Sequence, residues 1–403
     1  MRRGLAALVS LLLAGCAAPI AQRGPVWPAF AEDPAALAAQ FPDSASVARR
    51  LLAATHQAGD SASVRAGLAR LAASGYAPSQ ATIDTLAPHV PEPEMAALRL
   101  RFAANGARVQ ASRIFATVPA EHRLVDGVAW DGRGNRLFAA TVVSRALLVH
   151  DAQGWRAVAG LEAGSLFGLA VDERHQLLWL ASGVVEQTPS PDTAFRGLIA
   201  IDLATLRPVR RVPVEGAGSP ADIVVAADGT VYASDPNSGA IYRARAGDAA
   251  LQILVPAGRL RSPQGLVPAA DGRRLYVSDY GYGLATVSLA DGAVSRLESD
   301  AGTMLDGIDG LVGHDGRLIA IQNGTNPRRI LLLTLSRDGN RIAAARVLES
   351  NNPDWSEPTL GALRGDDFLY VADAQWDRYG PAGALQGEGA QRPTAIRLLR
   401  PSN

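Results

Sequence analysis

The chain has 403 residues, 48% of them hydrophobic, with 39 basic and 39 acidic side chains and a formal net charge of zero. That length and apolar content suit one large or two ordinary domains, and 40 glycines with 25 prolines predict many turns. The balanced charge gives no electrostatic case for nucleic acid, the single cysteine excludes disulfides and thiolate zinc sites, and the absence of lysine excludes Schiff-base chemistry.

In chain order, Arg2-Arg3 give a positive start, Leu5 to Leu13 form an apolar run too short to span a bilayer, and Ala14-Gly15-Cys16 follow. This is the layout of an export signal rather than a transmembrane helix. It resembles a bacterial lipoprotein signal, which implies lipidation of Cys16 and a place at the cell envelope, facing the periplasm or on the outer membrane. Several acyl chains on one residue would anchor the chain to the membrane stably. Residues 1–15 are therefore read as signal peptide and 16–32, through Arg23-Gly24-Pro25, as a tether.

Residues 33–110 carry helical patterning. Ser44 or Ser46 can cap a helix with Val47, Leu51 and Leu52 on one face. Gly59-Asp60-Ser61 breaks it, and Val64, Leu68 and Leu71 continue on a second helix to Gly75. The run from Ala53 to Tyr76 resembles one tetratricopeptide-like helix pair. Helical-repeat arrays need about three units to stand alone, so this region is expected to pack on its neighbour. It also offers a surface for a protein partner.

From residue 111 to 403 the texture changes to short strands separated by Gly turns, in a repeat of roughly 45 residues. Units begin at Asp126-Gly127-Val128, Phe167-Gly168-Leu169, Ala221-Asp222-Ile223, Gln264-Gly265-Leu266, Asp309-Gly310-Leu311 and Leu360-Gly361-Ala362. Turns follow, at Asp228-Gly229, Asp271-Gly272 and Asp315-Gly316 among others, then apolar strands such as Leu137-Phe138-Ala139 and Leu275-Tyr276-Val277. Repeated short antiparallel strands predict a mainly β chain, a six-bladed β-propeller preceded by a small α-helical region. In that architecture the first residues of the units line the axis at one rim. Asp126, Gln264 and Asp309 then bring hard oxygen donors together, which suits calcium. The ends of the second strands (Thr141, Ser182, Asp235, Asp279, Gln322 and Asp373) are expected as a second polar ring at that rim.

Three segments, Leu124-Val125-Asp126-Gly127-Val128, Ser262-Pro263-Gln264-Gly265-Leu266 and Ile308-Asp309-Gly310-Leu311, resemble signature segments of the senescence-marker-protein/gluconolactonase (SGL) propeller family. The resemblance covers about residues 112 to 400. It implies one divalent cation, commonly calcium, held by Asp126, Gln264 and Asp309. Pro220-Ala221-Asp222-Ile223 resembles the family's Pro-Asn-Asp motif, which implies Asp222 as a general base. The pattern also departs from the family: Asp126 stands for Glu, Gln264 for Asn and Ala221 for Asn. A methylene gained or lost moves a donor by ~1.5 Å, whereas calcium–oxygen distances span only about 0.3 Å.

Two function classes follow. The first is a metal-dependent lactonase or ester hydrolase, in which Asp222 activates water, Phe167 forms an apolar wall, and Asp279, Asn323 and Glu357 orient substrate hydroxyls. The second is a non-enzymatic binding module with a degraded metal site, its rim taking a protein or carbohydrate. Tyr280, Tyr282, Trp355 and Trp376 fit a sugar. His122 and His314 are isolated and read as surface or packing residues.

Overall fold

The computed structural model describes residues 33–401. The signal, the tether and Cys16 lie outside the described residues. Among the described residues no helix is long and apolar enough to cross a membrane.

Six sheets surround a common axis, each of four antiparallel strands, with a short parallel strand, Glu298–Ser299, added at the outer edge of the fifth. Their inner strands are Val125–Asp131, Ser165–Asp172, Ile223–Val225, Pro263–Pro268, Ile308–His314 and Gly361–Arg364, which number blades one to six. The ring closes when Arg113–Val118, the first strand in the chain, pairs antiparallel with Thr394–Leu399, the last, as the outer strand of blade six. Closure of this kind removes the open sheet edges that a linear array would leave.

The second strands read as continuous apolar runs because both of their faces are buried. In blade one, Leu137 and Ala139 join the core shared with blade six, while Phe138 and Ala140 join the core shared with blade two. Blade five repeats this: Leu318 and Ala320 face blade four, Ile319 and Ile321 face blade six. Successive side chains of a strand point to opposite faces, so one strand supplies two inter-blade cores. At Asp315-Gly316 both residues have positive φ, 48° and 70°, as a tight two-residue turn requires, whereas at Asp228-Gly229 and Asp271-Gly272 only the glycine does, at 85° and 64°.

The helical region consists of α1 (Pro34–Gln40), α2 (Ala45–Gln57), α3 (Ser61–Ala73), α4 (Gln80–Leu86) and α5 (Glu92–Asn105). Ser44 caps α2 by accepting the Val47 amide, and Asp60 caps α3 by accepting the Ser63 amide. Helices α2 to α5 share a core around Leu52, Val64, Leu68, Met95 and Phe102, into which the propeller inserts Met304. Leu37, Phe41 and Val47 instead enter the core between blades three and four, where Phe41 stacks on Tyr282 at 4.4 Å. Fully buried Asp306 accepts the Ala45 and Ser46 amides at 2.8 and 2.7 Å, so a propeller side chain completes the cap of α2. Asp43 pairs with Arg296, and Ala77 accepts from and donates to Asn326. All these propeller partners except Arg296 lie in loops at the rim where the inner strands begin.

Candidate functional site

At that rim the inner strands of blades one, two, four and five each shift register at the axial residue. The shifts fall between Val125 and Gly127, Leu166 and Leu169, Pro263 and Leu266, and Ile308 and Leu311. A bulge leaves a residue unpaired and re-aims its side chain. Here Asp126, Phe167, Gln264 and Asp309 turn into one axial pocket of about 250 Å³. The glycine after each of these residues lets neighbouring inner strands approach closely. A Cβ on Gly127 would lie 2.1 Å from the Phe167 carbonyl oxygen.

The pocket also takes Asn323, Glu357, Tyr280 and Trp376. Asn323 donates its Nδ2 to Asp309 Oδ2 at 2.7 Å and to the Pro358 carbonyl at 2.9 Å, while its Oδ1 accepts the Tyr280 hydroxyl at 2.8 Å. Trp376 Nε1 donates to Asp126 Oδ1 at 3.1 Å. Gln264 donates to Ser262 Oγ at 3.3 Å, and its Oε1 has no hydrogen-bond partner among the described residues.

Carboxylates dominate the electrostatics. Burial, reinforced by the Asp309 charge, holds Asp126 well above the usual carboxylate range against the pull of the Trp376 hydrogen bond. Burial raises Asp309 to about 7, with the Asn323 hydrogen bond opposing and the Glu357 charge adding. Burial also raises Glu357, and the Arg328 guanidinium opposes it. A buried carboxyl group, Asp126, a half-buried one, Asp309, and an open amide oxygen therefore meet on the axis with a surplus of negative potential. Among the described residues no group of three or more His, Cys, Asp and Glu side chains is arranged to hold a metal ion.

Two of the expected site residues lie elsewhere. Asp222 does not line the axial pocket. Its Oδ1 accepts the Ile223 amide at 2.8 Å, and it borders a cavity of about 730 Å³ at the opposite face, walled mainly by aliphatic side chains such as Leu169, Val224 and Leu311. Burial raises its carboxyl to about 7, the Ile223 amide opposing and Asp309 adding. Asp279 is fully buried and spends its oxygens on the Arg261 and Gly281 amides at 2.6 and 3.1 Å. Strand alternation turns it away from the axis. Other members of the expected second ring behave alike: Asp235 accepts the Ser219, Asn237 and Ser238 amides, and Gln322 donates to the Met304 and Asp306 carbonyls. These residues hold loops.

The polar partners Tyr280 and Trp376 are visible in the sequence only as aromatics suited to a sugar; nothing in the local pattern marks them as partners of Asn323 and Asp126. Tyr282 is committed to Phe41, and Trp355 donates its Nε1 to the Tyr370 hydroxyl at 3.0 Å. His314 is buried beside Asp315, away from this pocket.

No family model and no curated protein matches the chain. Among solved structures it is similar to a gluconolactonase from Xanthomonas campestris, at 17% identity and a TM-score of 0.48 over 73% of this chain and 97% of that one. It is similar to a calcium-binding protein, regucalcin, from Agrobacterium tumefaciens, at 17% and 0.48 over 71% and 93%. It is also similar to the PQQ-bound aldose sugar dehydrogenase of Streptomyces coelicolor, at 15% and 0.46 over 73% and 99%. Likenesses of this order carry no argument about activity, and propellers host many chemistries. The six-blade architecture rests on this chain's own strand pairing.

Proposed function

We propose that the axial pocket is the site of a metal-dependent lactonase or ester hydrolase in a propeller tethered to the cell envelope through Cys16. The observation that carries the reading is the pair Asp126 and Asp309, brought from blades one and five into one pocket where the Asp309 charge raises Asp126 and the Glu357 charge raises Asp309. A divalent cation relieves that cost, and the donor set fits calcium: two carboxylates with the open Gln264 Oε1. When bound, such a cation supplies Lewis-acid polarisation of a carbonyl oxygen. The resemblance of the three axial segments to the SGL pattern supports the same reading.

The chain's own groups divide the remaining work. Glu357 lines the pocket, and we assign it the proton of the attacking water in place of Asp222, which does not reach the pocket. Arg328 keeps Glu357 closer to its ionised form than burial alone would. Asn323, locked between Asp309, Tyr280 and Pro358, presents a fixed amide edge, and Phe167 excludes water from one wall. Asp222 acts from below as a charge that helps raise Asp126.

The test is a calorimetric calcium titration of the chelator-treated chain beginning after Cys16, followed by a lactone and ester panel with and without calcium. One site, lost in the Asp126→Ala/Asp309→Ala variant together with hydrolysis, supports the proposal. A second reading, a binding module without a metal, is favoured by the lack of a third acidic or imidazole ligand in metal-binding geometry among the described residues. Absence of calcium heat and of turnover would select it.

A further inference from the structure

The helical region does more than cover a rim. Between it and blades five and six lies a second cavity, of about 400 Å³, to which the helical region contributes Arg49 and Tyr76 and the propeller contributes Asn323, Arg328, Asn352 and Trp355. Asn323 lines both this cleft and the axial pocket, so one side chain forms the wall between them.

No carboxylate is among the residues that line the cleft. The Arg49 and Arg328 side chains form no ion pair or hydrogen bond with another described residue; Arg328 acts on Glu357 of the axial pocket only through its charge, and the Arg49 guanidinium lies 5.7 Å from the Tyr76 ring centroid. Two guanidinium groups without a hydrogen-bonded carboxylate, facing a cavity lined with amides, make a site of positive potential. Tyr76 is only 7% exposed, and its hydroxyl has no hydrogen-bond partner among the described residues.

The far wall is built rigidly. Fully buried Glu349 accepts from the Tyr370 hydroxyl at 3.0 Å and from Asn352 Nδ2 at 2.6 Å, and the same Tyr370 oxygen accepts from Trp355 Nε1 at 3.0 Å. Thus Asn352 and Trp355 are held by groups behind them, and the cleft side of the wall stays open.

We propose that this cleft is an oxyanion subsite, taking a carboxylate or phosphate group of a ligand whose uncharged part passes Asn323 into the axial pocket. Arg49 and Arg328 would supply charge-assisted hydrogen bonds from two sides, with the Tyr76 hydroxyl as a third donor. The helical region then selects ligands, because one of the two cations and the hydroxyl exist at the site only when it is docked. The site concerns binding alone and stands whether or not the axial pocket hydrolyses anything.

The experiment is calorimetric titration of the chain beginning after Cys16 with inorganic phosphate and, separately, with succinate, both at millimolar concentrations. Wild type is expected to bind one or both at a single site. Arg49→Ala and Arg328→Ala are each expected to weaken binding at least ~10-fold, as loss of one charged hydrogen bond implies. Tyr76→Phe, which keeps the ring and the fold, is expected to weaken it several-fold. Arg133→Ala, at an exposed turn of the other face, is the unchanged control. A preference for phosphate points to a phosphorylated ligand and a preference for succinate to a carboxylate one. Binding that survives in an Arg49→Ala/Arg328→Ala double variant with an unaltered melting curve overturns the assignment, as does absence of binding by both probes in wild type.

Discussion

Asp222 Oδ1 lies 2.6 Å from the point where a Cβ on Gly168 would stand. In the other five blades the residue equivalent to Asp222 is a glycine: Gly127, Gly168, Gly265, Gly310 and Gly361. Blade three alone places a carboxylate there, and the space it uses is the space its neighbour leaves by lacking a side chain. The same enclosure raises Asp222 to about 7.

Gly168→Ala should therefore disturb blade three from blade two. The new methyl would meet Asp222 Oδ1, and at 2.9 Å the Ala221 carbonyl oxygen and Asp222 Cα, so the backbone must move. Overpacking of this kind costs about 1–3 kcal/mol. Urea denaturation is expected to show that loss, partly recovered by adding Asp222→Gly. An Ala variant as stable as wild type would mean that the two inner strands are not held at this spacing.

The axial carboxylates predict a pH dependence whose sign is opposite to that of an ordinary salt bridge. Asp309 binds its proton up to about pH 7 when folded but releases it near ~3.9 when unfolded. The folded chain holds more protons between these values, so this contribution to stability is full at low pH and falls as pH rises towards 7. In chelator, wild type should lose more stability between pH 5 and pH 8 than Asp309→Asn does. Parallel profiles for the two proteins would contradict the buried, raised carboxyl.

Calcium should reverse that loss. Added to wild type, it is expected to raise the melting temperature by an amount that grows with calcium concentration, more at pH 8 than at pH 5, because protons compete for Asp126 and Asp309. The double alanine variant should show no shift at either pH, and His314→Ala should behave as wild type. A calcium shift retained in the double variant would place the ion elsewhere.

The hydrolase proposal separates two carboxylates. Glu357→Gln is expected to lower turnover of a responsive ester or lactone by about 10²–10⁴-fold, the usual worth of a general base. Asp222→Asn should change the pH optimum more than the maximal rate. The opposite ranking would return the proton transfer to Asp222.

The dock of the helical region hangs on Asp306, whose two oxygens take the first amides of α2. Asp306→Ala leaves a buried and a half-buried donor unpaired, and a lost cap alone costs about 0.5–2 kcal/mol. We expect residues 33–110 to become protease-sensitive in this variant while the propeller stays resistant. Uniform protection would show that Phe41 and Tyr282 suffice.

How much of this was legible beforehand differs by level. Ser44, one of two cap candidates in the sequence, does cap α2, and the break at Gly59-Asp60-Ser61 supplies the Asp60 cap of α3, because capping is a local reaction between a side chain and amides two or three residues on. The axial column could be aligned because every unit carries an apolar residue two positions after the axial one, with a glycine between them in all units but the third. The aim of the individual side chains could not. Gln322 and Asn323 are adjacent in sequence, yet Gln322 holds loops while Asn323 faces the pocket, and only strand alternation at the rim separates them. Asp279 turns from the axis to the Arg261 and Gly281 amides for the same reason.

Sequence by itself determined the six repeats, the helical start and the acidic residues that open the first and fifth inner strands, because turn chemistry and hydrophobic period act within a few residues. Tertiary structure alone decided that a bulge turns Asp126 and Asp309 into a shared pocket and that Asp222 lies beneath it. It also set Arg49 and Arg328 around one cleft. Those relationships join residues far apart in the chain, such as Asp306 and Ala45, 261 positions apart. They exist only once the ring has closed and the helices have docked on its rim.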